Sequence, residues 1–473
     1  MRGTLPSYYN KWGTGDVSGI SFDTTGIIEV CISDRAFKRM RNLRFLRIYK
    51  SRVDGNDDKV HIPNEMEFPR SLRLLHWEAY PSKSLPSRFY PEYLVELDMK
   101  YSKLEKLWDG IQPIANLKKM DLHGSVDLKE LPDLSKATNL ETLELSICKS
   151  LVELPPSFSN LHKLKNLGMS YCINLEVIPT KNIKIFDISE TSVKDVPTSV
   201  TLWSQLEFFN VHGNEQLKTL PQLPLNITFL CLSNTAFESI SCCLKGLRKL
   251  AELRLYGCRK LTLLPELPRS LRYLLAQDCE SLETIFCSLD TENAHLDFTN
   301  CFKLDQQARR AIIEQQSFGY GSSCLPGSKL PTEFEHRAIG NKLTFPLSAF
   351  SSFKICLVIC LHQQNEEWCD DPRVLCRRVR KGYLYPVEDL ACGISRSQTK
   401  HLFIFHSDSF DEYIWLEVSK EITFKFNSKY QDFDIFECGV QILTDRTYGS
   451  NTEAYGDEEI DNNITTDDDE DDY

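Results

Sequence analysis

A chain of 473 residues is too long for one compact core, so two or three units are expected. The formal net charge of −12 argues against a general polyanion binder, which needs a surplus of Lys and Arg. No run approaches the ~18–20 apolar residues that a membrane-spanning helix requires. Residues 1–16 form an N-terminal segment without the apolar core of a secretory signal. The odd count of 17 cysteines then favours reduced thiols, and the expected compartment is the cytoplasm, with the nucleus second.

Periodicity organises residues 17–301. The pattern L-x-x-L-x-L starts weakly at Val17/Ile20/Phe22 and recurs from Leu43/Leu46/Ile48 to Leu271/Leu274/Ala276. Successive starts lie 19 to 29 residues apart, mostly 21 to 24, which is leucine-rich-repeat spacing. The expected fold is an α/β leucine-rich-repeat solenoid, a horseshoe, in which each triad sits on a short strand and points into the stack. A short polar side chain is needed where the chain leaves the sheet, and that slot holds Cys148, Cys172, Thr191, Asn214, Thr235, Cys258 and Cys279. No single turn can bury its apolar face, so neighbours must stack into a curved array.

Strand alternation turns the residues between the triad positions onto the concave face. Its middle column reads Arg47, His76, Asp98, Asp121, Glu144 and onward, acidic in the centre; aromatic residues gather toward both ends. Exposed aromatics bordered by charge are what protein-binding hot spots use. The candidate partner-binding residues are Phe45, Arg47, Tyr49, Phe208, His212, Phe229, Arg254, Tyr256 and Tyr273.

Beyond the repeats, residues 302–323 read as a capping helix, Leu304–Gln316, and a Gly/Ser-rich linker. Residues 324–446 carry short strand-like runs, among them Lys342–Phe345, Phe353–Leu361, Tyr383–Tyr385, Lys400–His406, Trp415–Val418, Glu421–Phe426 and Phe436–Leu443, and a β-sandwich is expected. Residues 447–473 form an acidic tail, expected to be disordered by self-repulsion, with ten acids and no base from Asp457 to Asp472. The run Arg377–Lys381 reads as a solvated strand edge, with binding of acidic partners or a nuclear signal as alternatives. Cys356, Cys360, Cys369, Cys376 and His362 lack the tight spacing of a structural zinc site, and no metal, cofactor or catalytic residue is expected.

Two flanking segments carry a family resemblance. Gly13–Ser21 with Ala36–Leu46, and Asn300–Asp305 with Ala308–Ile312, Leu325–Gly327 and His336–Arg337, are similar to the surroundings of the repeats in plant TIR-type nucleotide-binding leucine-rich-repeat immune receptors. The resemblance implies a jelly-roll or Ig-like post-repeat domain that binds pathogen effectors or a host protein together with the repeats. It also implies nucleotide-binding and TIR domains as possible partners in a full-length receptor. No G-x-x-x-x-G-K-[ST] phosphate loop is present and nothing resembles a TIR domain, so nucleotide exchange and the family's NAD cleavage have no residues here to carry them. The chain then reads as the recognition part of such a receptor, or as a truncated regulator or decoy without its own signalling output. No nucleic-acid or membrane partner is expected.

Overall fold

The computed structural model describes residues 2–4 and 16–443 apart from 28, 34–35, 52–58, 64–65, 177–182, 241–243, 287–293, 316–320, 347–351, 363–371, 381–382, 385–386, 392–398, 408–420 and 431. Gly13–Gly15, Cys369, the Trp415–Val418 run and the acidic tail therefore lie outside the described residues.

The triads form the solenoid core. From Leu43 to Ala276 none of their residues is more than 4% exposed. Each central residue sits on a strand of three to five residues, such as Phe45–Tyr49, Glu96–Asp98 or Phe229–Cys231. Neighbouring strands pair in parallel and in column, Leu46 opposite Leu75, Leu75 opposite Leu97, Leu97 opposite Met120. A one-residue slip would turn every leucine outward, so burial itself fixes the register.

From the Leu74–Trp77 strand to His295–Asp297, each turn leaves its strand through a residue in the left-handed region. These are Ala79, Tyr101, Gly124, Ile147, Tyr171, Glu190, Gly213, Asn234, Gly257, Asp278 and Asn300. The bend points the N–H at the next repeat: Tyr101 donates to the carbonyl of His123 at 2.7 Å and Asn234 to that of Tyr256 at 2.7 Å. Glycine suits position 124, because a Cβ there would lie 2.4 Å from the Tyr101 ring that covers it and would push that ring aside. The following slot residue ties the turn back to the preceding repeat. The thiols of Cys172, Cys258 and Cys279 each donate 3.1 Å to the carbonyls of Leu145, Leu232 and Leu255. Asn214 donates to the carbonyls of Ile188 and Val211 and accepts from the Thr191 hydroxyl at 2.7 Å. Burial pushes the Cys172 and Cys258 thiols up to about 12, so they stay protonated donors. The twelve described cysteines are all free thiols.

The parallel sheet does not stop at the last repeat. His295–Asp297 pairs in parallel with Ser322–Pro326, which pairs antiparallel with His401–Ser407. Ser352–Leu361, Phe433–Leu443 and His336–Ile339 extend it further. Among the described residues, seventeen pairings join eighteen strands into one open sheet that starts at Gly19–Asp23 and ends at His336–Ile339. Ser322 and Ser323 are thus buried strand residues, inside the stretch that composition reads as linker. That strand, not the helix, covers the open edge of the last repeat. The helix, Gln306–Glu314, is capped by the Asp305 carboxylate and packs beside Thr284–Ile285. Lys354 closes its far end, donating to the carbonyls of Ile313 and Gln315.

This antiparallel extension is buried on both faces. Leu325, Cys356, Val358, Leu402 and Ile404 join the solenoid core. Cys324, Ile355, Leu357, Phe403 and Phe405 meet Phe345, Cys376, Phe424 and Phe426 of a second sheet. The second sheet is built of Lys342–Pro346, Glu421–Ser428, Arg373–Arg380, Tyr383–Leu384 and Glu388–Ala391. Arg373–Arg380 is an interior strand, paired with Glu421–Ser428 on one side and with Glu388–Ala391 and Tyr383–Leu384 on the other. The strand-edge reading of Arg377–Lys381 is corrected accordingly; an Arg-rich run resembles an edge only when cross-strand partners are invisible.

Candidate binding face

Register decides which side the second sheet occupies. Cys324 lies opposite Asp297, in the column that faces outward along all the repeats, and it packs beneath the second sheet. The concave face therefore runs in under that sheet, which walls off its C-terminal end. Asp297 is fully buried there. Burial raises its carboxyl to about 7, against opposing hydrogen bonds from Thr299 and Gln277.

A seam residue completes the wall. The left-handed turn at Asn300 has no further repeat to bond; its N–H donates to His401 Nε2 at 3.1 Å. His401 is fully buried and its Nδ1 lies 2.9 Å from the Thr399 carbonyl. Nε2 must be unprotonated to accept, and burial lowers the ring's pKa, which favours that form. One histidine thus stands in for the carbonyl that a next repeat would supply. Sequence reading missed it, because nothing local marks a partner 101 residues away.

The aromatic residues form two patches. At the N-terminal end Phe45 is 48% exposed, and the Arg47 guanidinium lies 4.2 Å from the centroid of the half-buried Tyr49 ring. Toward the wall, Phe208 and Phe229 stack face to face at 4.4 Å, since parallel neighbours in one column sit one strand spacing apart. The Arg254 guanidinium covers Phe229 at 5.0 Å and is held by Glu252 at 2.6 Å. Tyr256 and Tyr273 are exposed, and Tyr273 leans on His295. His212 lies 3.3 Å from the Glu190 carboxylate, at the rim. Seven strand spacings of ~4.8 Å separate the patches, roughly 34 Å, so Phe45, Arg47 and Tyr49 do not join the other six.

The acidic middle column is largely committed to structure. Asp121, Glu144 and Asp187 each accept from the backbone N–H two residues on, at 3.2, 2.8 and 3.0 Å. Asn210 and Asp297 do the same in their repeats. Such side-chain turns steer the chain off the strand. The remaining charge is met locally: Asp98 by His76 at 3.1 Å, Asp121 by Lys100 at 3.1 Å. Burial raises the Asp98 carboxyl, but the His76 hydrogen bond and the nearby charges of His76 and Lys100 outweigh it, leaving it lowered overall. Glycine or asparagine at positions 124, 213, 234, 257 and 300 is a sequence mark of five of the eleven left-handed exits; the other six carry none.

No group of His, Cys, Asp or Glu among the described residues is arranged to hold a metal. Cys356 and Cys376 sit in different cores, on opposite faces of the antiparallel extension, and His362 pairs with Asp434 at 3.1 Å. No helix among the described residues is long and apolar enough to cross a membrane.

In-column strands, the recurrent left-handed exit and the slot residue define a leucine-rich-repeat protein. The Leucine Rich Repeat family model matches residues 93–112. Disease resistance protein RML1B of Arabidopsis thaliana is 45% identical, aligned over 96% of this chain and 46% of its own length. Disease resistance protein RML1A is 44% identical over 92% of this chain and 47% of its own. Disease resistance protein RPS6 is 34% identical over 73% and 40%. The chain belongs with these plant disease resistance proteins, as the segments flanking its repeats suggested, and it spans about half the length of the curated relatives it matches. Among solved structures, the LRR protein LIC12759 of Leptospira interrogans matches with a TM-score of 0.37 at 15% identity, over 64% of this chain and 96% of that one.

Proposed function

We propose that this chain is the protein-recognition part of an intracellular plant immune receptor, and that it binds a pathogen effector or a host protein without catalysing a reaction. The observation that carries this reading is the strip of Phe208, Phe229, Arg254, Tyr256 and Tyr273, outward-facing in strands that lead to the wall. Stacked rings and a guanidinium are already ordered in the free protein, so a partner loses little entropy in meeting them. The two sheets beyond the last repeat act as the jelly-roll or Ig-like domain of such receptors, and their rim contacts the same ligand. Phe45, Arg47 and Tyr49 form a second contact for a partner long enough to span the arc.

The test needs a partner captured by co-purification from infected and healthy plant tissue. Truncating a hot-spot aromatic costs ~2 kcal/mol or more, so Tyr256→Ala and Tyr273→Ala should each weaken binding ~30-fold. Folded variants that bind undiminished would exclude this surface. Purified protein that hydrolyses ATP or NAD above background would overturn the non-enzymatic reading.

A further inference from the structure

Several surface lysines of the solenoid find acids one repeat away: Lys83 and Lys129 share Glu105, Lys165 meets Glu141, and Lys245 meets Glu266. The outer face of the second sheet breaks that habit. Lys342 lies directly opposite Lys425, and Lys425 directly opposite Arg377, so three exposed cations form one row across three strands. Their flanking residues Leu343, Phe424, Phe426 and Cys376 point the other way, into the core. Among the described residues none of the three has an acidic partner; Asp389 is already shared by Arg373 and Lys429. Like charges directly opposite on a sheet repel, so the row gains from an anion laid along it.

We infer that the acidic segment Asp457–Asp472 of this same chain docks along the Lys342–Lys425–Arg377 row. Charge complementarity is one argument: ten acids without a base match a row in which described cations stand directly opposed without an acidic partner. Reach is the other. The last described strand ends at Leu443, opposite Ser352, and the adjoining Phe353 ring lies 6.2 Å from that of Phe345, whose strand places Pro346 opposite Glu421. Leu443 therefore lies at the Glu421 end, about four residues of strand and one sheet spacing from Lys425, some 13 Å along and ~10 Å across. The 14 residues from Leu443 to Asp457 extend up to ~46 Å, more than enough. Tethering at that range gives an effective concentration near millimolar, so weak contacts suffice. The docked segment shields the row from other polyanions. The inference does not depend on the concave-face reading.

Carbodiimide, which joins an amine to a carboxylate only in direct contact, tests this on the full chain. Cross-links from Lys342 or Lys425 to peptides within Asp457–Asp472 are expected at low salt and should vanish in ~0.5 M NaCl. Tail cross-links confined to other lysines, or none, overturn the proposal. Heparin supplies a second readout as a competing polyanion. Replacing the ten acids by Asn and Gln should raise heparin affinity at least ~10-fold, and adding Lys342→Gln, Lys425→Gln and Arg377→Gln should remove that gain. Equal heparin affinity with and without the acids, or a gain that survives the three Gln substitutions, means that the row faces an external partner or none. All three substituted positions are exposed, so folding should not confound the result.

Discussion

The repeats and the sheets that follow them solve one problem, satisfying backbone groups at the edge of a strand, in opposite ways. In the solenoid the partners lie within the same turn or about one repeat away: Cys172 reaches back 27 residues to Leu145, and Ser125 reaches 26 to Met99. Beyond the last repeat the partners are remote: Asn300 bonds His401 across 101 residues, and Asn341 reaches Phe426 across 85. Repetition makes each solenoid contact one of many, and substitutions in the slot are tolerated because Ser, Thr, Asn and Cys all supply a donor. The junction has single-copy contacts, so each should matter more.

Truncation is the severest way to test that difference. Removing residues 317–473 deletes Ser322–Pro326, whose Cys324 carbonyl accepts from Phe298 at 2.8 Å, and uncovers the buried face at Leu296. Terminal repeats need a cover, so the remainder should lose soluble monomer on size exclusion and unfold at a lower temperature. An unchanged thermal midpoint would show that the solenoid closes itself.

Asp297 gives the next largest effect, through pH. Its folded value of about 7 stands above the ~3.9 of an unfolded Asp, so the folded state holds the proton more tightly. The contribution to stability is complete below pH ~4 and is lost as the pH rises through 7. Relative to Asp297→Asn, the wild-type chain should lose up to ~4 kcal/mol between pH 4 and 8. Urea unfolding of both at three pH values measures this, and parallel curves would refute it.

His401→Ala should cost ~1–3 kcal/mol by leaving the Asn300 N–H without its acceptor. Hydrogen exchange should quicken at Asn300 but not at Leu97, deep in the repeats. The acid dependence has the opposite sign to that of Asp297. Burial depresses the His401 pKa, so its contribution is present above pH ~6.5 and lost as the pH falls below it. Smallest of all, Cys258→Ser should change stability by less than ~1 kcal/mol, because Ser125 already fills that slot with a hydroxyl bond to the Met99 carbonyl at 3.2 Å. Cys258→Ala should cost ~1–2 kcal/mol, since the Leu232 carbonyl loses its donor. Equal effects of the two variants would mean that the slot is filled for volume alone.

The periodic half of the molecule was legible in the residues. Burial acts on each repeat alike, so the triads, the slot and the outward columns with Phe208, Phe229 and Tyr273 followed from spacing and alternation. Several later strands were also legible: Phe353–Leu361 became Ser352–Leu361, and Glu421–Phe426 became Glu421–Ser428. Ser322–Pro326, His336–Ile339 and Arg373–Arg380 were not, being polar, proline-ended or arginine-rich. Asp121 and Glu144 lie in the outward column that alternation gave them, but spacing alone did not reveal that each also accepts from the backbone N–H two residues on. Long-range pairing decided what remained. It joined the antiparallel strands to the repeat sheet, stood the second sheet on the concave side, and buried Asp297 and His401 at the seam. A repeat carries its own instructions every 21 to 24 residues, whereas a contact made once across a hundred residues leaves no period to read.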